Sequence, residues 1–337
     1  MPAPSAAQLE KALAVVKRHG GNRSAAAREL GMAGSTLKEW MYNTHRWRKP
    51  IPVDDTAQAR IEQLEETVQK AVRPVYHVSH STASHDTLKL VCIGDAHDDP
   101  KIDKHRFEAI GAYIDEAKPD VVIQIGDFLN MDSLNTHVPD HTFNGKAKPT
   151  FEADLNSFRL ALDALESKLN WKCKKHCTLG NHERRLFAFE DNAPATWGMM
   201  QGVLQLAFHD RKWTYSPYGE IYMQGGVGFV HAALNTLGKT YGGKNAETTI
   251  CNDSVFDLVI GHSHRAREWR APKLGRGNFV QILNVGCALP HNHVEEYAQH
   301  ALTGWSWGIV DMTIKDGHIH DHRFLQMDTL EERYGGR

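Results

Sequence analysis

The sequence holds no apolar run approaching the roughly 18 to 20 residues that a membrane span requires, and its opening, MPAPSAAQLEKAL, lacks the apolar core of a signal peptide. A cytoplasmic protein without a membrane partner is the expectation. Cysteine is scarce: five residues, at 92, 173, 177, 251 and 287, odd in number and mostly inside apolar strand-like runs. That usage suits buried thiols in a reducing compartment and excludes a disulfide scaffold. Cys173, His176 and Cys177 lack the paired Cys-x-x-Cys spacing of a zinc knuckle. Net charge is also nearly absent, −2 at pH 7, yet residues 1–50 carry nine Lys or Arg against three Asp or Glu, which leaves −8 for the remainder. A basic N-terminal piece on a mildly acidic body points to a polyanionic partner for that piece.

What remains is an ordinary globular composition, 41% apolar and 24% charged over 337 residues. It excludes collagen-like and disordered classes and leaves room for a large catalytic domain with a small appendage. Histidine is the informative residue: there are 21, several in tight pairs, and imidazole is the commonest transition-metal ligand.

The N-terminal fifty residues read as three short helices. Leu9, Leu13 and Val16 recur at helical spacing until Gly20-Gly21 ends the pattern. Asn22 can cap a second helix through Leu30, with Ala25, Ala26 and Ala27 as a small apolar face, and Gly31 supplies the turn. Ser35 or Thr36 opens a third helix carrying Leu37, Trp40 and Met41. The stretch GNRSAAARELGMAGSTLKEW resembles the helix-turn-helix of Fis-like bacterial regulators. The resemblance implies that Ser35, Thr36 and Lys38 face the major groove while Arg23, Arg46 and Arg48 sit near phosphates, with DNA as the partner. A docking or dimerisation module is the alternative.

Pro50, Pro52 and Asp54-Asp55 break that pattern, and residues 51–85 read as a linker containing a helix at 56–72 with Ile61, Leu64 and Val68 on one side. A homodimer pairing through that helix is the associated expectation. From residue 86 to 337 apolar strand-like runs (LKLVCIG, VVIQIG, KCKKHCTL, VGFVH, DLVIG, FVQILNVG) alternate with helical segments such as Lys104–Ala117 and Asp154–Leu169. This is the alternation of βαβ units. Alternating residues on either side of Asp316-Gly317 mark a late hairpin, so the strand pattern by itself predicts a mixed sheet with antiparallel strands added at one edge.

The strand-like runs end in polar groups. LKLVCIG leads into Asp95 and His97, VVIQIG into Asp127, HCTLG into Asn181-His182-Glu183, GFV into His231, and DLVIG into His262 and His264. Carboxyl ends of strands in α/β sheets converge on a crevice. Nitrogen and oxygen donors without thiolate favour Mn, Fe, Zn or Ni over Mg or Ca.

The order Asp-x-His, Gly-Asp-x-x-Asn, Gly-Asn-His-Glu, His, Gly-His-x-His resembles that of the calcineurin-like metallophosphoesterases, over residues 87 to about 290. The resemblance implies a four-layer α/β/β/α sandwich and two divalent ions, with Mn the foremost choice. Asp95, His97 and His264 would hold the first, Asn181, His231 and His262 the second, and Asp127 would bridge both. His182 would protonate the departing oxygen. In the phosphoprotein phosphatase branch an Asp and then an Arg stand where this chain has Asn130 and Met131. The amide cannot stabilise an imidazolium by charge, so His182 is expected to be a weaker donor unless Asp132 or another acid substitutes. Arg184 and Arg185 are the candidates to bind the phosphate in place of the missing Arg.

Two substrates remain open. DNA phosphodiester cleavage, loosely similar to the Mre11 and SbcD nucleases, fits the basic N-terminal module. Hydrolysis of a nucleotide or another small phosphoester fits the short chain after His264. Loops 137–148 and 237–245, with aromatics and cations, are candidates to shape the groove.

Overall fold

The structure, a computed structural model, describes residues 4–42, 87–139, 141–275, 277–295, 298, 300–301 and 303–335. The expected helix 56–72 and the candidate DNA contacts Arg46 and Arg48 lie outside them. The chain divides into two compact units, Met1–His77 and Val78–Arg337.

In the first unit, α1 (Ala6–Arg18) starts at Ser5, whose hydroxyl accepts from Gln8 N while the Gln8 side chain accepts from Ser5 N. Asn22 caps α2 (Arg23–Glu29) by accepting from Ala25 N at 3.1 Å. The third helix, α3 (Gly34–Tyr42), begins slightly before Ser35. Ala12, Val15 and Val16 pack on Ala26, Ala27 and Leu37, and the two alanines let α2 approach closely. Arg23, Ser35 and Lys38 are exposed, while Thr36 is half-buried.

The second unit runs β1 (Leu88–Ile93), α4 (His105–Ala117), β2 (Val121–Gln124), the single turn α5 (Phe143–Lys146), α6 (Phe151–Ser167), β3 (Lys174–Thr178), α7 (Arg184–Asn192), α8 (Met199–Asp210) and β4 (Trp213–Ser216). It continues with β5 (Tyr222–Gln224), β6 (Val227–Val230), α9 (Ala246–Asp253), β7 (Leu258–Ile260), β8 (Ala266–Pro272), β9 (Phe279–Val285), β10 (Gly308–Lys315), β11 (His318–Gln326) and α10 (Met327–Tyr334).

These strands form two sheets rather than the one mixed sheet that the strand pattern alone predicted. The first has the order β11-β10-β1-β2-β3-β4 and the second β5-β6-β7-β9-β8. Strands β1 to β4 are parallel. The late hairpin joins β1 antiparallel through β10, and its turn residues Asp316 and Gly317 take φ of 52° and 83°, as a two-residue hairpin turn requires.

Two sheets form because the strands are apolar on both sides. Val91 and Ile93 turn to Phe107, Ile110, Phe158 and Leu162 of α4 and α6. Their neighbours Leu90 and Cys92 turn the other way, to Phe229, Val259 and Leu283 of the second sheet. The far face of that sheet, with Val230, Ile260 and Ile282, packs on Ile250 and Cys251 of α9. The layers therefore run helices, sheet, sheet, helix. Among the described residues, no helix is long and apolar enough to cross a membrane.

Candidate metal centre

Each expected donor sits just beyond the carboxyl end of a parallel strand: Asp95 and His97 after β1, Asp127 after β2, Asn181 after β3, His231 after β6, and His262 and His264 after β7. Four of them occupy the left-handed backbone region, His97 at φ 42°, Asp127 at 49°, His262 at 68° and His264 at 58°. Such positions cost about 1–3 kcal/mol each and persist where surrounding contacts over-determine them. The contacts are visible. Asp127 O accepts from Ala96 N and His97 N at 3.0 and 2.9 Å, and Asp95 Oδ2 accepts from His262 N at 2.9 Å. Ser306 N donates to His264 O at 2.8 Å. Gly180 allows the closest approach: a Cβ there would lie 2.1 Å from Asp127 Oδ1.

The side chains gather into groups whose donor atoms lie within 4.8 Å of one another: Asp95, His97 and His264; Asp127, His231 and His262; and His97, Asp127 and His182. Asp127 belongs to two of them. Its Oδ2 is 3.3 Å from His231 Nε2 and 3.8 Å from His97 Nε2. Asn181 Oδ1 lies 3.0 Å from His231 Nε2, and His262 Nδ1 is 3.2 Å from the same nitrogen. The structure thus brings together all seven donors named from the sequence.

The donor set fits divalent cations. His97 and His264 are almost fully buried, face one another Nε2 to Nε2 at 3.0 Å, and leave both Nδ1 atoms without a hydrogen-bond partner. Two buried rings sharing one contact and two orphaned nitrogens are poorly satisfied by protons alone, whereas an ion can take both Nε2 lone pairs. Burial holds His97 well below the usual imidazole range and brings His262 and His264 down to about 4 and 3, so these rings are neutral with lone pairs available. Burial opposes ionisation of Asp127 too, but His231, His182 and His97 outweigh it and hold that carboxylate well below its ordinary value. Asp95 is pushed up to about 8, by burial first and by Asp127 in addition. His231 is driven the other way: burial resists its charge, but Asp127 and Asp95 prevail and raise it to about 10. Its proton is the one that cations must displace.

His182 lies beside this group, with Nε2 3.9 Å from Asp127 Oδ2. Its ring is oriented by the backbone carbonyl of Asn130, 2.7 Å from Nδ1, and not by the Asn130 amide side chain. That amide donates instead to Asp99 and Asp132, at 3.4 and 3.1 Å. Asp132 does not substitute as a partner for His182; it approaches Arg185 at 3.5 Å. Arg185 also donates to the Asn130 carbonyl at 2.7 Å and places NH2 3.4 Å from His182 Nε2. Because the Asn130 carbonyl requires a proton on Nδ1, neutral His182 presents a lone pair at Nε2. Burial first, and then the Arg185 charge, lower its basicity against the pull of Asp127. Arg184 turns away from this cluster, its guanidinium carbon 5.5 Å from the Tyr218 ring centroid.

Two residues escaped the sequence reading. Glu183, completely buried, accepts from Asp127 N, Gly180 N and Leu129 N at 2.9, 2.7 and 3.0 Å and so ties the β2 and β3 loops together. Its place inside Asn181-His182-Glu183 was the available signal. Tyr218, in the turn before β5, brings its ring centroid 6.2 Å from that of His231, and nothing in the local sequence marks it. The Cys173, His176 and Cys177 trio forms no metal group: His176 bonds Thr214 and Ser216 hydroxyls at 2.8 and 2.7 Å, and Cys177 bonds Gln124.

The family described as calcineurin-like phosphoesterase matches residues 88–266, the span that contains every donor above. No curated protein matches the chain. Among solved structures, the chain is similar to wild-type Vps29 from Entamoeba histolytica complexed with zinc, at 12% identity, with 71% of this chain and 99% of that one covered. The TM-score is 0.28.

Proposed function

The chain belongs to the calcineurin-like phosphoesterase family, and from that premise of metal-dependent phosphoester hydrolysis we propose that it cleaves phosphodiester bonds in DNA. The chemistry is supported by one observation above the others: Asp127 groups with His231 and His262 of the second sheet while its Oδ2 lies 3.8 Å from His97, a member of the group with Asp95 and His264. In this reading Asp95, His97 and His264 hold one divalent ion, Asn181, His231 and His262 hold the other, and Asp127 serves both. Two such ions polarise phosphoryl oxygens and supply a hydroxide nucleophile near neutral pH. Manganese is the first candidate, with iron, zinc and nickel also suited to the donor set.

The chain's own groups do the rest. Arg185, held by the Asn130 carbonyl and Asp132, donates to a phosphoryl oxygen. His182 stands beside it. An anionic phosphoryl group bound between them stabilises the imidazolium, and only then does Nε2 carry a proton for the departing oxygen. Delivery to DNA rests on the basic N-terminal unit, read as a helix-turn-helix with Arg23, Ser35, Thr36 and Lys38 toward the duplex and the helix expected at 56–72 as a pairing surface.

A second reading, hydrolysis of nucleotides or other small phosphoesters, is favoured by the segment after His264. Its described residues form β8 to β11, which complete the sheets, and α10, and among them no separate cap grips a duplex. A substrate panel with manganese separates the two: plasmid, linear duplex and single-stranded DNA, bis-p-nitrophenyl phosphate and p-nitrophenyl phosphate. Cleavage of DNA and of the diester is expected. Activity on the monoester alone removes the nuclease reading. Mobility shifts at two salt concentrations, comparing wild type with Arg23→Ala/Lys38→Ala, test delivery, and unchanged affinity would sink it.

A further inference from the structure

Arg184 and Arg185 are neighbours in the first turn of α7, yet they serve opposite sides of the mouth. Arg185 turns toward His182 and the Asn130 carbonyl. Arg184 is exposed and lies over the ring of Tyr218 at 5.5 Å. Tyr218 in turn lies against the second donor group, its ring centroid 6.2 Å from that of the buried His231.

The tyrosine is firmly mounted. It occupies a turn closed by Glu220 N donating to Pro217 O at 3.1 Å. The next residue, Gly219 at φ 82°, is backed so closely by Leu234 that a Cβ there would come 2.5 Å from Leu234 Cδ1. Leu234 itself pairs with Thr240 in the segment after His231. A half-buried phenol ring capped by a guanidinium, fixed beside a phosphoester site, is a flat, polarisable, cationic surface. That chemistry suits a nucleobase, which stacks on aromatic rings and guanidinium planes alike whatever its identity.

We propose that Arg184 and Tyr218 form a nucleobase-binding surface at the mouth of the metal centre, so that the group flanking the reacting phosphate is held by stacking while Arg185 and His182 face the phosphate itself. The inference rests on the phosphoester reading of the site but not on DNA as the source of the base, since a strand and a free nucleotide offer the same ring. Burial and the charge of Asp127 push the pKa of the Tyr218 phenol up, which keeps it neutral and able to donate a hydrogen bond.

The test pairs ligands with and without a base, in manganese-loaded full-length protein, for wild type, Tyr218→Ala, Arg184→Ala and Tyr218→Phe. Calorimetry measures binding of a nucleoside 5′-monophosphate against ribose 5-phosphate. Kinetics measure cleavage of an oligonucleotide against the same strand with an abasic residue beside the reacting phosphate. Stacking on an aromatic side chain is worth about 1–3 kcal/mol per base, so Tyr218→Ala is expected to weaken the base-bearing ligand about tenfold more than the base-free one. The loss falls on Kd and KM with kcat less affected, and Tyr218→Phe restores it. An effect confined to the monophosphate assigns a free nucleotide as the source; one confined to the oligonucleotide assigns a strand. Equal loss for both members of each pair, or no loss in either, overturns the inference. If no DNA is cleaved, the nuclease reading fails while the calorimetric arm still decides the nucleobase surface.

Discussion

Replacing Glu183 by Gln tests how the site is held. The carboxylate takes Gly180 N–H and Asp127 N–H on Oε2, at 2.7 and 2.9 Å, and Leu129 N–H on Oε1 at 3.0 Å. Glutamine offers a single acceptor oxygen. The less costly orientation keeps the first two bonds and turns its NH2 group against Leu129 N–H, a donor meeting a donor in a fully buried place. A lost bond to a charged acceptor together with an orphaned buried donor costs about 2–4 kcal/mol. Part of that is offset, because burial and the neighbouring Asp127 already disfavour the Glu183 carboxylate and hold its pKa up, a penalty that the neutral amide avoids. A net loss of about 2 kcal/mol lowers the melting temperature of a unit this size by roughly 4–8 °C. Because Asp127 N is one of the three donors, the left-handed turn at Asp127 loosens as well, and metal affinity falls with stability. Calorimetric melting and a manganese titration of wild type and Glu183→Gln read both. A variant that melts within about 1 °C of wild type and binds manganese equally would refute this account of Glu183.

Two further outcomes are expected. The His176 imidazole is kept neutral by burial, its pKa lowered to about 3, so between its ordinary value near 6.5 and that value only the unfolded chain takes up the proton. Stability is fully present above pH 6.5 and falls toward pH 3 at up to about 1.4 kcal/mol per pH unit. Denaturant melts at pH 7, 6, 5 and 4 should show a shallower fall for His176→Gln than for wild type, and identical slopes count against the assignment. Gly180→Ala forces a methyl group to within 2.1 Å of Asp127 Oδ1 and 2.4 Å of Asp127 N. Hydrolysis of bis-p-nitrophenyl phosphate should drop at least a hundredfold while far-UV circular dichroism is retained; near-normal activity would show that Asp127 is not so confined.

The donors were legible in the sequence because each follows an apolar run whose both-sided burial makes it continuous, and the polar residue at its end stands out. Val121–Gln124 before Asp127 and Leu258–Ile260 before His262 are buried throughout. Other elements gave no such contrast. Strand β8, AREWRAP, is a sheet edge with most of its side chains exposed, so it carries neither alternation nor an apolar run. Helix α8 has exposed Met199 and Leu206 opposite buried Leu204 and Phe208, and apolar residues all round blur its helical period. The division into two sheets, which the family resemblance implied, is invisible in the strand pattern itself for a different reason. Leu90 and Val91 look alike in sequence, yet they enter different cores. Around the site, the orientation of His182 comes from a main-chain carbonyl, which no side-chain pattern can announce. Tyr218 reaches His231 only through the fold.

In the proposed binuclear centre, Asp127 joins the two donor groups. Metal content, measured by inductively coupled plasma mass spectrometry after manganese loading and gel filtration, tests it directly in wild type and Asp127→Asn. Two ions per wild-type chain and loss of both in the folded variant are expected. Two ions retained by Asp127→Asn, or fewer than two in wild type, would contradict it.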